Sequence, residues 1–397
     1  MTTLISVDEA IALILEHRPQ MPAETVRLDD ALGRTLASPV EARLTQPPAP
    51  LSAMDGYAVR LADVSEPGAQ LTVIGESPAG RPFEGPVSAG EAVRIFTGGY
   101  VPEGADHIVI QETASRDGDT ITCADAHPTT RHIRAAGRDF STGDVLIRAG
   151  TRLGPAEIAV AAAANHAELT VRQRPKVALI TNGNELKPPG TDIRPGEIVS
   201  SNPYAIGALV KIWGGELLQT EHSADTVASI QNALSSASAA DIIVPIGGAS
   251  VGDHDHMRQA FDQAGFASVF QKIAVRPGKP TWFAKNGAQV VLGLPGNPAS
   301  AYVCAHLFLK VLLGTVDGLK TQTARLTTPL AANGSRETFM RAHLVADEDG
   351  GLSVTPAADQ DSSLLTPFLL RSVLIRQHTN AKATPKGAEV EIQLIKQ

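Results

Sequence analysis

KVALITNGNEL, residues 176–186, decides the fold. Lys176–Ile180 is an apolar run of strand length that passes directly into the polar, glycine-containing TNGNEL. That is the pattern of a strand buried on both faces that delivers a loop to a sheet edge. The pattern then alternates. NPYAIGALVKIWGG (202–215) reads as a helix with Asn202 as N-cap, Pro203 at the first position and Gly214 at its end. DTVASIQNALSSA and HMRQAFDQAG read as further helices, and DIIVPI as a strand running into GGASVGDHD. TWFA and AQVVLGL read as strands joined at an Asn286-Gly287 turn, and a long helix starts at Asn297 and Pro298. Strands alternating with helices predict a mostly parallel sheet covered on both faces, with ligands at the carboxyl ends of its strands.

The flanks have another texture. Residues 43–137 are rich in proline, glycine and short apolar runs such as LTVIG, EAVRIF and HIVIQE, which predicts a small β-rich module. Residues 326–397, with SVLIRQ and AEVEIQLI, predict a β barrel or sandwich. AEIAVAAAANHAEL reads as a helix between the first β module and the α/β core. At the start, Ser6 and Glu9 form a capping-box pattern ahead of a helical face of Val7, Ile11, Ile14 and Leu15.

At roughly 150 residues per domain, 397 residues make about two to four domains. Hydrophobic residues are 43% of the chain and charged residues 19%, a globular rather than a disordered balance. A net charge of −8 disfavours nucleic acid and anionic membranes as partners. Two distant cysteines, Cys123 and Cys304, give neither a disulfide framework nor a metal spacing. With no signal peptide and no apolar run of membrane-spanning length, the expected location is the cytoplasm.

Three polar loops follow strands in the α/β region: TNGNEL, GGASVGDHD and LPGNP. Glycines such as Gly247 and Gly248 let backbone amides approach anionic oxygens, and Ser250 adds a hydroxyl. QKIAVRPGKP brings Lys272, Arg276 and Lys279 beside Gly278. Any one of these is equally a solvated turn; three loops with a cation cluster point to a phosphorylated or oxyanionic ligand. Asp253 and Asp255 share one loop and can hold a hard cation through oxygen, or simply form a turn. Asp225, at a helix start, is equally a dipole partner. In the β module, Asp55, Thr97 and Asp139 each lie beside a glycine and read as turn residues or as site residues.

SAMDGYAV, RIFTGGYVPEGADHIVIQE, GRDF, TNGNEL, IGGASVGDHD, RPGKP and LPGNP occur in this order. In that order they resemble the molybdopterin molybdenumtransferases, the MoeA family, which includes the E domain of gephyrin. The resemblance runs from the first helix into the C-terminal region. It implies a multidomain α/β plus β chain: a molybdopterin-binding α/β domain (1–23 and 174–325), a linker and dimerisation domain (24–42 and 138–173), an inserted β-rich domain (43–137) and a C-terminal β barrel (326–397).

It further implies insertion of molybdenum from molybdate into the dithiolene of adenylylated molybdopterin, with a divalent metal such as Mg2+ and release of AMP. The partners implied are a second copy of the chain, forming a homodimer with a shared cleft, and the molybdopterin adenylyltransferase and other proteins of the pathway. Carried onto this chain, the family's active-site positions are Asp55, Thr97, Asp139, Glu185, Asp225 and Asp255. Of these, Glu185, Asp225 and Asp255 are expected near the metal. Substrate positions are Gly247, Gly248, Ser250, Lys272, Arg276, Gly278, Lys279, Pro295, Gly296, Asn297 and Pro298. The chain departs from the family pattern at Gly99, Asn184, Arg276, the Pro50-Leu51 pair and the FLLRSVLI segment. Two other readings share parts of this pattern: a gephyrin-like scaffold, and an enzyme that adenylylates molybdopterin.

Overall fold

The computed structural model describes residues 4–124, 131–248, 256–346, 350–369 and 372–395. The chain divides into two compact units, one formed by Met1–Pro22 with Gln173–Gln397 and the other by Ala23–Arg172.

The first unit is built on a six-stranded sheet in the order Glu216–Ser223, Lys176–Asn182, Ile242–Ile246, Gln289–Gly293, Trp282–Asn286, Ala267–Phe270. The first four strands are parallel; Trp282–Asn286 turns back antiparallel to Gln289–Gly293 through the hairpin at Asn286-Gly287, and Ala267–Phe270 pairs antiparallel with Trp282–Asn286. Val177 through Asn182 and all of Ile242–Ile246 are buried, as a doubly covered sheet requires. Helices Val7–His17, Asn202–Ile212 and Pro298–Cys304 pack on one face; Val227–Ser236 and His256–Gln263 pack on the other. The capping box forms: Glu9 N–H donates to Ser6 Oγ and Ser6 N–H to Glu9 Oε2. The edge strand Glu216–Ser223 has no apolar run, only alternating exposed and half-buried residues, so periodicity of hydrophobics gave no sign of it.

The C-terminal strands close into a barrel rather than a sandwich, because Glu337–Ala346 pairs with both Leu352–Pro356 and Ser372–Gln377. The two-residue strand Val275–Arg276 joins this barrel edge, pairing in parallel with Glu337 and Thr338. The RPGKP segment is thereby anchored on the barrel as well as on the α/β core.

The second unit holds a six-stranded sheet in the order His107–Ile110, Gly56–Val59, Glu91–Ile95, Gln70–Ser77, Thr120–Cys123, Ala114–Asp117, with separate apolar clusters around Tyr57 and around Ile95. A further cluster around Leu36, Leu153 and Val171 joins helix Pro155–Ala163 to the strand pair Ala23–Arg27 and Glu168–Arg172. Among the described residues no helix is long and apolar enough to cross a membrane.

Candidate functional site

In the first unit the strand ends are laced together by the backbone. Gly247 N–H donates to the Leu294 carbonyl at 3.0 Å, and Leu294 N–H to that of Pro245 at 2.8 Å. A Cβ on Gly296 would lie 3.4 Å from Gly247 Cα, so the glycine turn and the proline loop meet backbone to backbone. Gly248 takes a left-handed φ of 68°, and a Cβ there would sit 2.8 Å from Asn182 Oδ1. Only glycine fits that position.

Asn182 ends its strand 6% exposed, and its Nδ2 donates to Asp225 Oδ1 at 2.9 Å. Its own Oδ1 is buried without a partner among the described residues. Asp225 is therefore more than a dipole partner; the helix that follows is capped by Thr226, which accepts from Ser229 N–H. Glu185 is exposed, its carboxylate folded over Gly183. Asp225 and Glu185 follow neighbouring parallel strands. Among the described residues no three His, Cys, Asp or Glu side chains gather as a metal cluster. Glu185, Asp225 and the Asn182 side-chain oxygen are oxygen donors, the chemistry a hard divalent cation such as Mg2+ takes. The third expected acid, Asp255, and Ser250 lie outside the described residues.

A cavity of ≈ 780 Å³ opens beside these loops, lined by Gly248, Arg276, Gly278, Lys279, Pro295, Gly296 and Asn297, and from the barrel by Arg336, Arg341 and Ser362. Arg276 and Lys279 are exposed, their charges free to meet an anion in solvent. Gly278, at φ 113°, has Cys304 Sγ 2.1 Å from where a Cβ would stand. Burial pushes that thiol up to about 12, so Cys304 is an inert packing partner under the turn. Lys272, Pro298 and Gly247 do not line the cavity. Lys272 is half-buried, its carbonyl accepting from Ile5 N–H.

Arg336, Arg341 and Ser362 were not singled out from the sequence. RETFMR is a strand with a cation at each end, and a reading tuned to apolar runs passes over it. Arg341 is 2% exposed, and its guanidinium donates to the carbonyls of Leu364 (2.7 Å), Asp361 (2.9 Å) and Asp359 (3.4 Å).

The second unit holds Asp55 and Thr97 as a pair. Asp55 Oδ1 accepts from Thr97 N–H at 2.7 Å and from Thr97 Oγ1 at 2.9 Å. The backbone bond first, then the hydroxyl, and also the Arg94 charge, hold this carboxyl below the usual range against a small desolvation effect. The Thr97 hydroxyl is thus bonded to protein although the residue is exposed. The two motifs interlock, since Ser52 N–H donates to the Gly99 carbonyl and Gly98 N–H to that of Ser52. Gly56 is required by close approach: a Cβ there would lie 2.0 Å from the Val109 carbonyl oxygen. Asp139 is exposed, its N–H donating to the Gln46 carbonyl.

Together these parts make a multidomain protein with a parallel-sheet strand-end site beside a closed barrel, and a separate β-rich sheet. Residues 5–165 match the MoeA N-terminal region (domain I and II), 178–314 a probable molybdopterin binding domain, and 323–395 the MoeA C-terminal region (domain IV). The molybdopterin molybdenumtransferase of Nostoc sp. is 36% identical over 364 residues, 87% of this chain and 84% of that protein. That of Haemophilus influenzae is 32% identical over 98% of each chain. The crystal structure of the molybdopterin biosynthesis MoeA protein from Pyrococcus horikoshii OT3 superposes with a TM-score of 0.83 at 27% identity, covering 99% of this chain and 100% of that one. The chain belongs to the molybdopterin molybdenumtransferase (MoeA) family.

Proposed function

We propose that the protein is a molybdenum insertase of molybdenum cofactor biosynthesis, which transfers molybdenum from molybdate to the dithiolene of adenylylated molybdopterin and releases AMP. The observation that carries the reading is the ≈ 780 Å³ cavity in which Arg276, Lys279 and Arg336 face the proline loop. Molybdate and a phosphoanhydride are both oxyanions, and clustered cations beside glycine-rich backbone suit both. Glu185, Asp225 and Asp255 are assigned to the metal and the anhydride, and Asp55 with Thr97 to completing the site. A bound Mg2+ would neutralise charge on the anhydride oxygens. Asp55, kept ionised by Thr97, is ready to orient or accept a proton from the attacking oxygen.

The working unit in this reading is a homodimer of four-domain subunits. The α/β domain of one copy faces the β-rich domain of the other, and the protein acts after the molybdopterin adenylyltransferase in the cytoplasm. Complementation of a strain lacking its own insertase tests the activity: restored molybdoenzyme function supports it, and a folded chain that restores nothing points to a scaffold. Mixed dimers of Asp55→Ala and Asp255→Ala test the sharing. Regained activity supports a shared cleft, and activity no higher than either parent contradicts it.

A further inference from the structure

The two helices that begin at the proline loop each start with an asparagine, and neither asparagine caps its helix. Asn297 holds the N-cap position of Pro298–Cys304 without a side-chain cap bond. Asn202, expected as an N-cap, is the first helical residue; Ser201 holds the cap position and makes no side-chain cap bond either. Asn297 thus forgoes the local gain of a cap, and Asn202 stands one position too far along to make one. Asn202 Nδ2 donates to the Gly296 carbonyl at 2.7 Å. Asn297 Nδ2 donates to Ser362 Oγ at 2.8 Å, and Ala299 N–H to the Ser362 carbonyl at 2.9 Å.

The proline loop is thus gripped from the α/β core on one side and from the barrel on the other. The barrel's grip is itself anchored, because buried Arg341 holds the segment around Ser362 by its carbonyls. Such a grip matters at Gly296, which is exposed and has no side chain to lock it by packing. A free carbonyl in the wall can turn its lone pairs toward the cavity, where they repel an oxyanion. Donation from Asn202 keeps that carbonyl engaged.

We propose that Asn202 and Asn297 are positioning residues that fix the Pro295–Pro298 wall in the conformation that receives a tetrahedral oxyanion, and that Asn297 couples the barrel to oxyanion affinity through Ser362. The inference rests on the cavity being the molybdate site. The test is calorimetric titration of the full chain with molybdate, alongside thermal denaturation, for wild type, Asn202→Ser, Asn297→Ala, Ser362→Ala, the Asn297→Ala/Ser362→Ala double variant and Arg276→Ala. Serine suits a helix start as well as asparagine but is too short to reach Gly296. Asn202→Ser is therefore expected to keep its Tm and weaken molybdate about 10-fold, the scale of one hydrogen bond. The double variant is expected to bind no worse than the weaker of its two parents.

If Asn202→Ser and Asn297→Ala bind as wild type while Arg276→Ala loses affinity, the positioning role is wrong and the cavity reading stands. Affinity lost only where Tm also falls overturns the role as well. If wild type does not bind molybdate, or Arg276→Ala binds equally well, the cavity reading falls and takes this inference with it.

Discussion

Asp55 and Asp225 are two carboxylates of separate units, and they are held in opposite ways. Asp55 Oδ1 is pinned twice by one residue, through a backbone N–H and a hydroxyl, within a single sheet whose loops interlock. Asp225 is held by one side-chain amide that reaches across from the neighbouring strand, and it stays exposed. A doubly pinned carboxylate is a preorganised anion; a singly held one can turn to meet a cation. In the proposed reading, the first suits positioning chemistry and the second suits metal binding.

The largest expected effect breaks this contrast or confirms it. Asp55→Ala should lower molybdenum insertion by about 100-fold or more, as loss of a positioned acid–base group does, and added Mg2+ should not restore it. Asp225→Asn should lose activity that rising Mg2+ partly restores. Steady-state rates across a Mg2+ series distinguish the two, and equal Mg2+ rescue of both variants would erase the distinction.

The contrast extends to buried histidines. His306 in the first unit and His107 in the second are both buried with no hydrogen-bond partner on either ring nitrogen. Burial, with the Lys310 charge adding to it, lowers His306 to about 3. His107 is lowered by burial and by the His132 charge, with Asp106 opposing. A histidine depressed in the folded state leaves the unfolded chain binding the extra proton, so its contribution is present above about pH 6.5 and lost as pH falls toward the folded value. Between pH 7 and pH 5, His306 should cost wild type about 2 kcal/mol of stability. Urea titrations of His306→Phe should show that much less pH dependence than wild type, and no change in slope would refute the assignment.

The smallest effect sharpens the first. Thr97→Val removes the hydroxyl and keeps the backbone donor that does most to lower Asp55. Activity should fall about 10-fold, the scale of one charge-assisted hydrogen bond, well short of Asp55→Ala. A Thr97→Val loss as deep as that of Asp55→Ala would mean that the hydroxyl, not the carboxylate, carries the chemistry.

The α/β core was readable because its strands are buried on both faces. Val177–Ile180 and Ile242–Ile246 are unbroken apolar runs, and the residues that follow them carry the polar groups at the strand ends. The edge strand Glu216–Ser223 was silent because a strand with one exposed side and no neighbour beyond it needs no apolar run. Arg341 and Ser362 were silent for another reason: their place beside RPGKP depends on Val275–Arg276 pairing with Glu337–Thr338, a contact across some 60 residues of chain that no local pattern encodes. Asn202 was read as a cap because local rules favour that use, and there a tertiary contact to Gly296 won. The fold was thus written in local periodicity, while the grip on the proline loop was written in pairings between domains.

The most direct test of the account is a reconstitution with purified chain, adenylylated molybdopterin, molybdate and Mg2+, scored by AMP release and by activation of an apo-molybdoenzyme. The account predicts AMP and active enzyme that both depend on molybdate and are lost together in Asp55→Ala and Arg276→Ala. Accumulation of adenylylated molybdopterin from ATP and molybdopterin, with no cofactor formed when molybdate is supplied, would contradict it.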